Sequence, residues 1–477
     1  MAAALTDASD GSYPWEKQRW LRLALITISC CICSGTVPGM GLFVQLLVKA
    51  DVGSSLCLEG QNACDEQYLF VSDAFSTAAG VGLLLMFVNG WMFDRFGGYI
   101  LSQVGAVILA IGFALLQVPL LGAQSGHDAQ TRSWLVVAIL IADTGAVLNT
   151  ISVFSIAFHF PDFPAVVTAC ESMTYNGTAV FPIFLSALMR ASGLSLSSVM
   201  LGWLILVVLA AICCRYTVPT VEEYRAQGAK VLGMPLPHAE DTTFCQVFRD
   251  ANLVLLQRWW LHALAVLTLG LSLAFTLVYS GLQGDFGMLL FGSTAAGDQL
   301  ASLYNIFTGI GGLIIGPLAA YACDYFKVGS IPLLAGSIML SLLTCVFLVQ
   351  TTWPAQVLAC VSNALLYPVA MTYFLRYTLA FAGPVRVGSV LGLFNTYSSL
   401  LLLVVQTFLY SWISALPSTS AEHLILPLEV QCVASTATCM VFASCIIIVG
   451  LPEKPVVLAG DTDDPALFAP EDDIKQS

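Results

Sequence analysis

Gly90-Trp91-Met92-Phe93-Asp94-Arg95-Phe96-Gly97-Gly98 closes one long apolar run and opens the next, and Ala320-Tyr321-Ala322-Cys323-Asp324-Tyr325-Phe326-Lys327-Val328-Gly329 does the same later in the chain. Asp94 and Asp324 stand about half of the 477 residues apart. The same polar break at the same place in each half marks an internal repeat, and repeats that rock against each other around a central site are the usual build of membrane transporters.

The rest of the chain fits that reading. Apolar residues make up 58% and charged residues 10%, and the mean hydropathy is +0.84. A soluble domain carries about 25% charged residues. About twenty apolar residues at 1.5 Å rise cross a hydrocarbon core of roughly 30 Å, and twelve such runs can be placed. In the first half they lie at roughly 20–47, 68–92, 99–122, 134–158, 165–189 and 195–214. In the second half they lie at roughly 259–283, 299–323, 330–350, 354–378, 388–413 and 429–451. The segments are too long for barrel strands and lack period-2 alternation. The expected architecture is an all-α membrane protein, with twelve transmembrane helices arranged as two six-helix bundles.

The boundaries follow: a cytosolic N-terminal segment (1–19), a first bundle (20–214), a cytosolic linker (215–258), a second bundle (259–451) and an acidic cytosolic tail (452–477). The linker holds Pro219, Pro235 and Pro237 and is expected to carry a short surface helix around 242–256. With both termini inside, only Lys49, Arg132 and Arg190 of the 17 Lys and Arg fall outside, as the positive-inside rule requires. No cleavable signal peptide is expected, since the first apolar run is long enough to span. The plasma membrane is the expected location. Most of the 15 cysteines lie within spans, where Cys acts as a small apolar residue. Cys57 and Cys64 share the first outer loop, where disulfides persist, and are expected to pair.

The pattern Gly90-x-x-x-Asp94-Arg95-x-Gly97 resembles the signature of the major facilitator superfamily. That resemblance implies that the loop latches one conformation of a transport cycle, a role it gives to Gly90, Asp94, Arg95 and Gly97, and in the degenerate second copy to Asp324. The second copy has Tyr325 where the Arg would stand, which leaves its latch in question. Physically, a carboxylate here can face the positive end of a neighbouring helix, with the contact expected at the inner end of helix eleven near Gly388; the alternative is that Asp94 only caps helix three. A narrower resemblance covers the first third. Gly41-Leu42-Phe43-Val44, Leu56-Cys57, Cys64, Gln67, Phe75 and the Met92 to Gly97 block look like the large neutral amino acid transporters of solute carrier family 43 and related protist carriers. Phe160-Pro161-Asp162-Phe163-Pro164 and Ala179-Val180-Phe181-Pro182 resemble the same branch. This implies facilitated movement of amino acids.

Ionisable groups within spans are costly and usually face a cavity or a partner. Asp143 in helix four and Glu171 in helix five qualify. Glu171, Thr174, Tyr175 and Thr178 share one helical face, and helix eleven answers with Asn395, Ser398, Ser399 and Gln406. Helix ten adds Asn363 and Tyr367, helix eight adds Asn305 and Thr308, and helix one is interrupted at Ser34-Gly35-Thr36-Val37-Pro38-Gly39. The candidate substrate site is therefore Gly35, Thr36, Gly39, Asp143, Glu171, Thr174, Tyr175, Asn363, Tyr367 and Asn395, although each uncharged member has an interhelical hydrogen bond as its ordinary explanation. The expected partners are a small solute, an amino acid by the resemblance, a coupled proton and the bilayer. No metal, cofactor or nucleic acid is implied, and no catalytic constellation is found. A carrier of another small solute such as a monocarboxylate, or a transport-dead nutrient sensor, remains open.

Overall fold

A computed structural model describes residues 18–34, 37–57, 65–122, 128–232, 243–326, 331–382, 386–416 and 422–450. Its elements are helices, and no strand occurs among the described residues. In the first half α1 (Arg19–Ile32) and α2 (Met40–Lys49) are followed by α3 (Asp65–Leu84), α4 (Met86–Leu115), α5 (Gln117–Gly122), α6 (Asp128–Ser152), α7 (Pro164–Asn176), α8 (Phe181–Ser192) and α9 (Leu196–Thr217). Two linker helices follow, α10 (Val221–Leu232) and α11 (Phe244–Leu256). The second half comprises α12 (Trp259–Gly281), α13 (Gln283–Phe291), α14 (Thr294–Ile310), α15 (Gly316–Tyr325), α16 (Ile331–Leu348), α17 (Trp353–Phe381), α18 (Val387–Ala415) and α19 (Glu422–Val449).

Among the described residues, nine helices are long and apolar enough to cross a membrane, or ten if the bent pair α1 and α2 is one span. The expected count is twelve, and the difference lies in helices that break. The second passage is interrupted at Leu85, and the fifth at a 3-10 turn, Gly177–Val180, set before Pro182. Helix one breaks as expected, with its two parts meeting at 61°. Helix eight carries a π-helical turn, Gly311–Ile315, just before Pro317, whose ring nitrogen has no N–H to donate to a carbonyl of the preceding turn. Apolar side chains such as Ile448, Val404 and Ile205 point outward, as a lipid solvent allows.

Each half has a core of its own, one built around Phe43, Phe75 and Phe113, the other around Phe275, Tyr279 and Phe286. A third and larger core joins the halves at one end, where Phe87 and Phe93 meet Tyr377 and Phe394. That end is closed; toward the other, the halves diverge around a cavity of about 540 Å³. The linker surface helix appears as α11, with Thr243 and Gln246 forming a capping box. Helix α10 was not expected. Cys64 lies outside the described residues, as do Gly35 and Thr36.

Candidate functional site

The repeated loop motif builds the closed end. Gly97 interrupts α4 with φ 71° and ψ 168°, a backbone region open to glycine, and a Cβ there would meet Val221 of α10 at 2.7 Å. The turn sends Asp94 across to the second half. Its Oδ1 accepts from Gly388 N at 2.8 Å, and its Oδ2 from Ser389 N at 2.7 Å and Ser389 Oγ at 2.5 Å. Those amides belong to the first turn of α18, whose N–H groups have no intrahelical acceptor. Gly90 makes the approach possible, because a Cβ on it would run into the Gly388 carbonyl. Asp94 therefore caps helix eleven rather than helix three.

Asp324 repeats the contact in the other direction. Its Oδ2 accepts from Val166 N at 3.0 Å, in the first turn of α7, while Oδ1 pairs with Arg376 Nη1 at 2.5 Å. The second copy's aspartate thus takes its counter-ion from α17. In the first copy, Arg95 is exposed and stacks over Trp91 and Phe96, so it takes no part in the Asp94 contact. Arg225 of α10 does so instead, donating from Nη2 to the Asp94 carbonyl at 2.7 Å. Distance along the chain hid Arg225, Ser389 and Arg376 from a reading by motif; only Ser389, next to the expected Gly388, had a local signal.

Midway along the helices the two acids are each buried without a counter-ion among the described residues. Asp143 of α6 is 1% exposed, and its Oδ1 accepts from the Tyr175 hydroxyl at 3.1 Å. Its Oδ2 has no hydrogen-bond partner and lies against Gly82 of α3. Glu171 of α7 is 7% exposed, and Tyr367 of α17 lies near both acids. No Lys or Arg pairs with either acid among the described residues. Tyr175 and Tyr367 share the wall of a small cavity with Val37, Pro38, Tyr304 and Thr308. It holds about 30 Å³, room for a water. Ser280 lines both this cavity and the 540 Å³ one, which places the small cavity at the foot of the large.

Not every expected residue faces this space. Thr174 and Thr178 donate to the carbonyls of Glu171 and Tyr175 on their own helix. Asn395 donates to Leu391 in the same manner. Gly39 packs on Pro182, which a Cβ would meet at 2.7 Å. Asn363 accepts from the Tyr304 hydroxyl at 3.2 Å. The larger cavity draws on Gln45, Ser76 and Thr77 from one half and Gln406, Thr407 and Tyr410 from the other. Asp73 is its charged member and is paired with Arg132.

Among curated proteins, none matches the chain by sequence. In fold it is similar to the proton:xylose symporter XylE bound to 6-bromo-6-deoxy-D-glucose, with a TM-score of 0.63 at 14% identity over 94% of this chain and 98% of that one. It is similar also to the human organic anion transporter MFSD10 (TETRAN), with a TM-score of 0.56 at 12% identity over 90% and 100% of the two chains. A bacterial homologue of the iron transporter ferroportin gives 0.52 at 14% identity over 88% and 99%. Residues 19–405 match the family model of the Major Facilitator Superfamily. Two helical halves around a central cavity, exchanging capped helix ends through a repeated loop, and a match over most of the sequence lead to one conclusion: the chain belongs to the major facilitator superfamily, and is a transporter of a small solute rather than an enzyme.

Proposed function

We propose that the transported solute is an amino acid, neutral or cationic, bound between the halves and carried by alternating access. The observation that carries this reading is the pair of buried acids, Asp143 and Glu171, set by the Tyr175 and Tyr367 that line the small cavity, on a path with no basic side chain. Among the described residues, neither cavity is lined by Lys or Arg. An anionic substrate ordinarily recruits such a group, so a monocarboxylate or other organic anion is disfavoured. A solute with an ammonium group gains from the acids, since a buried charge without a partner costs several kcal/mol. The resemblance of the first third to solute carrier family 43 supports the same class. On this reading Asp94 and Asp324 latch the closed end, and the Lys and Arg distribution supports placing that end, both termini and the linker in the cytosol.

Uptake into proteoliposomes tests the site. If Glu171 or Asp143 binds the substrate ammonium, Glu171→Gln or Asp143→Asn lowers both accumulation and exchange of amino acids. If either acid instead carries a coupled proton, its variant abolishes pH-driven accumulation and leaves exchange intact. Should both variants keep wild-type uptake, affinity and pH response, the acids are structural and the site is misplaced.

A further inference from the structure

Asn363 of α17 is fully buried, yet its Nδ2 has no hydrogen-bond partner among the described residues. Its Oδ1 is taken by the Tyr304 hydroxyl. Tyr304 and Thr308 are one helical turn apart on α14, and both line the small central cavity. Thr308 is 2% exposed, and its Oγ1 lies by the Tyr304 hydroxyl, within its hydrogen-bonding reach. An interhelical hydrogen bond accounts for Asn363 Oδ1 and leaves its Nδ2 unexplained. A buried donor without an acceptor is costly and rare, and one set behind the Tyr304 and Thr308 wall of the cavity marks the place of an acceptor that arrives from outside.

The opposite wall has the complementary character. Tyr175 of α7 lines the same cavity from the first half with Asp143 behind it, and Glu171, one turn before Tyr175 on α7, lies near Tyr367. The open donor belongs to the second half and the carboxylates to the first, and neither Lys nor Arg lines the cavity between them. That polarity fits a zwitterion with its carboxylate toward the second half and its ammonium toward the first.

We propose that Asn363 and Thr308, organised by Tyr304, bind the substrate's carboxylate. This rests on the amino acid reading above and places the carboxylate contact in the second half. With space for about one water, the cavity is shut in this conformation, and the donors engage when the halves part enough to admit the solute.

The test compares L-leucine and L-lysine with their methyl esters, which keep the ammonium and lose the carboxylate charge. Asn363→Leu keeps the volume and Thr308→Val the shape. Each is expected to raise KM for both amino acids about tenfold, the size of one lost hydrogen bond to a charged group, with inhibition by the esters unchanged. Asn363→Asp, which still accepts from Tyr304 but repels a carboxylate, is expected to lose amino acid uptake and keep ester inhibition. Equal losses for amino acid and ester, or unchanged KM in Thr308→Val and Asn363→Asp, overturn the proposal. If the wild-type protein takes up neither amino acid, the amino acid reading itself fails; wild-type uptake with unaffected variants sinks the carboxylate site alone.

Discussion

Asp94 receives three hydrogen bonds on one carboxylate, all from the first turn of α18. Asp94→Asn replaces an acceptor oxygen with a donor and leaves at least one of those N–H groups unanswered, at a cost of about 1–3 kcal/mol. The cost falls on the closed end and leaves the cavities intact. Turnover in the variant is therefore expected to drop several-fold while KM stays within about twofold, a size that 1.4 kcal/mol per decade makes readable. Initial-rate uptake in proteoliposomes separates the two; a lost affinity with unchanged conformational exchange would contradict the latch. Asp94 was legible in sequence because a charged residue between two apolar runs has few structural explanations. Asp143 and Glu171 stood out for the same reason. Thr174 and Asn395 misled because a face shared along a helix says nothing about where a hydroxyl or amide sends its proton, and a carbonyl one turn back lies within reach of either.

Linker helix α10 fastens to the first half through a buried ion pair. Arg22, 3% exposed, donates to Thr217 O at 2.5 Å and holds both Glu223 oxygens, while His159 Nε2 lies 3.0 Å from Glu223 Oε1. Burial pushes the Glu223 carboxyl up, but the hydrogen bonds from His159 and Arg22 outweigh it and bring it down from 4.5 to about 2. A carboxyl lowered on folding stabilises fully above its unfolded value and loses that contribution as pH falls through the folded one. Glu223→Gln is expected to cost roughly 3 kcal/mol near neutral pH, because it strands a buried guanidinium. The gap in Tm between wild type and variant in detergent should hold steady above pH 5 and narrow as pH falls from about 4.5 toward about 2; a gap insensitive to pH would remove Glu223 ionisation from the account. The helix had a sequence signal that polarity obscured. Thr220 stands three residues before Glu223, the spacing of a capping box, and its Oγ1 does accept from Glu223 N at 3.3 Å. Long apolar spans were easier to read than α10 because burial dictates their whole length, whereas a polar linker helix of 12 residues depends on contacts distant in sequence.

Across the whole molecule, the repeat is exchanged rather than merely present. The first half's loop caps helix eleven of the second half, and the second half's loop caps helix five of the first, so each bundle supplies the carboxylate that satisfies the other's free amides. Sequence carried the repeat and the two aspartates, and could not carry the exchange, which exists only once the bundles face each other. The degenerate second copy functions as a contact because Arg376 comes from α17, a partner no loop motif contains. As the proposed latches, the two contacts share one face and would bias one equilibrium. Each charge-assisted set is worth about 1.5–3 kcal/mol, and about 5.5 kcal/mol carries a two-state population from 99:1 to 1:99. One latch lost should shift the population; both lost should come close to inverting it. Thr407 lines the large cavity and is exposed there, so Thr407→Cys reports the state in which that cavity is open. In intact cells a membrane-impermeant maleimide is expected to label this site, read by peptide mass spectrometry. Labelling should slow modestly with Asp94→Asn or Asp324→Asn and by tenfold or more with both. No labelling in the parent would reverse the assigned orientation, and an unchanged rate in the double variant would show that the shared aromatic core around Phe93, Tyr377 and Phe394 closes this end without help from the aspartates.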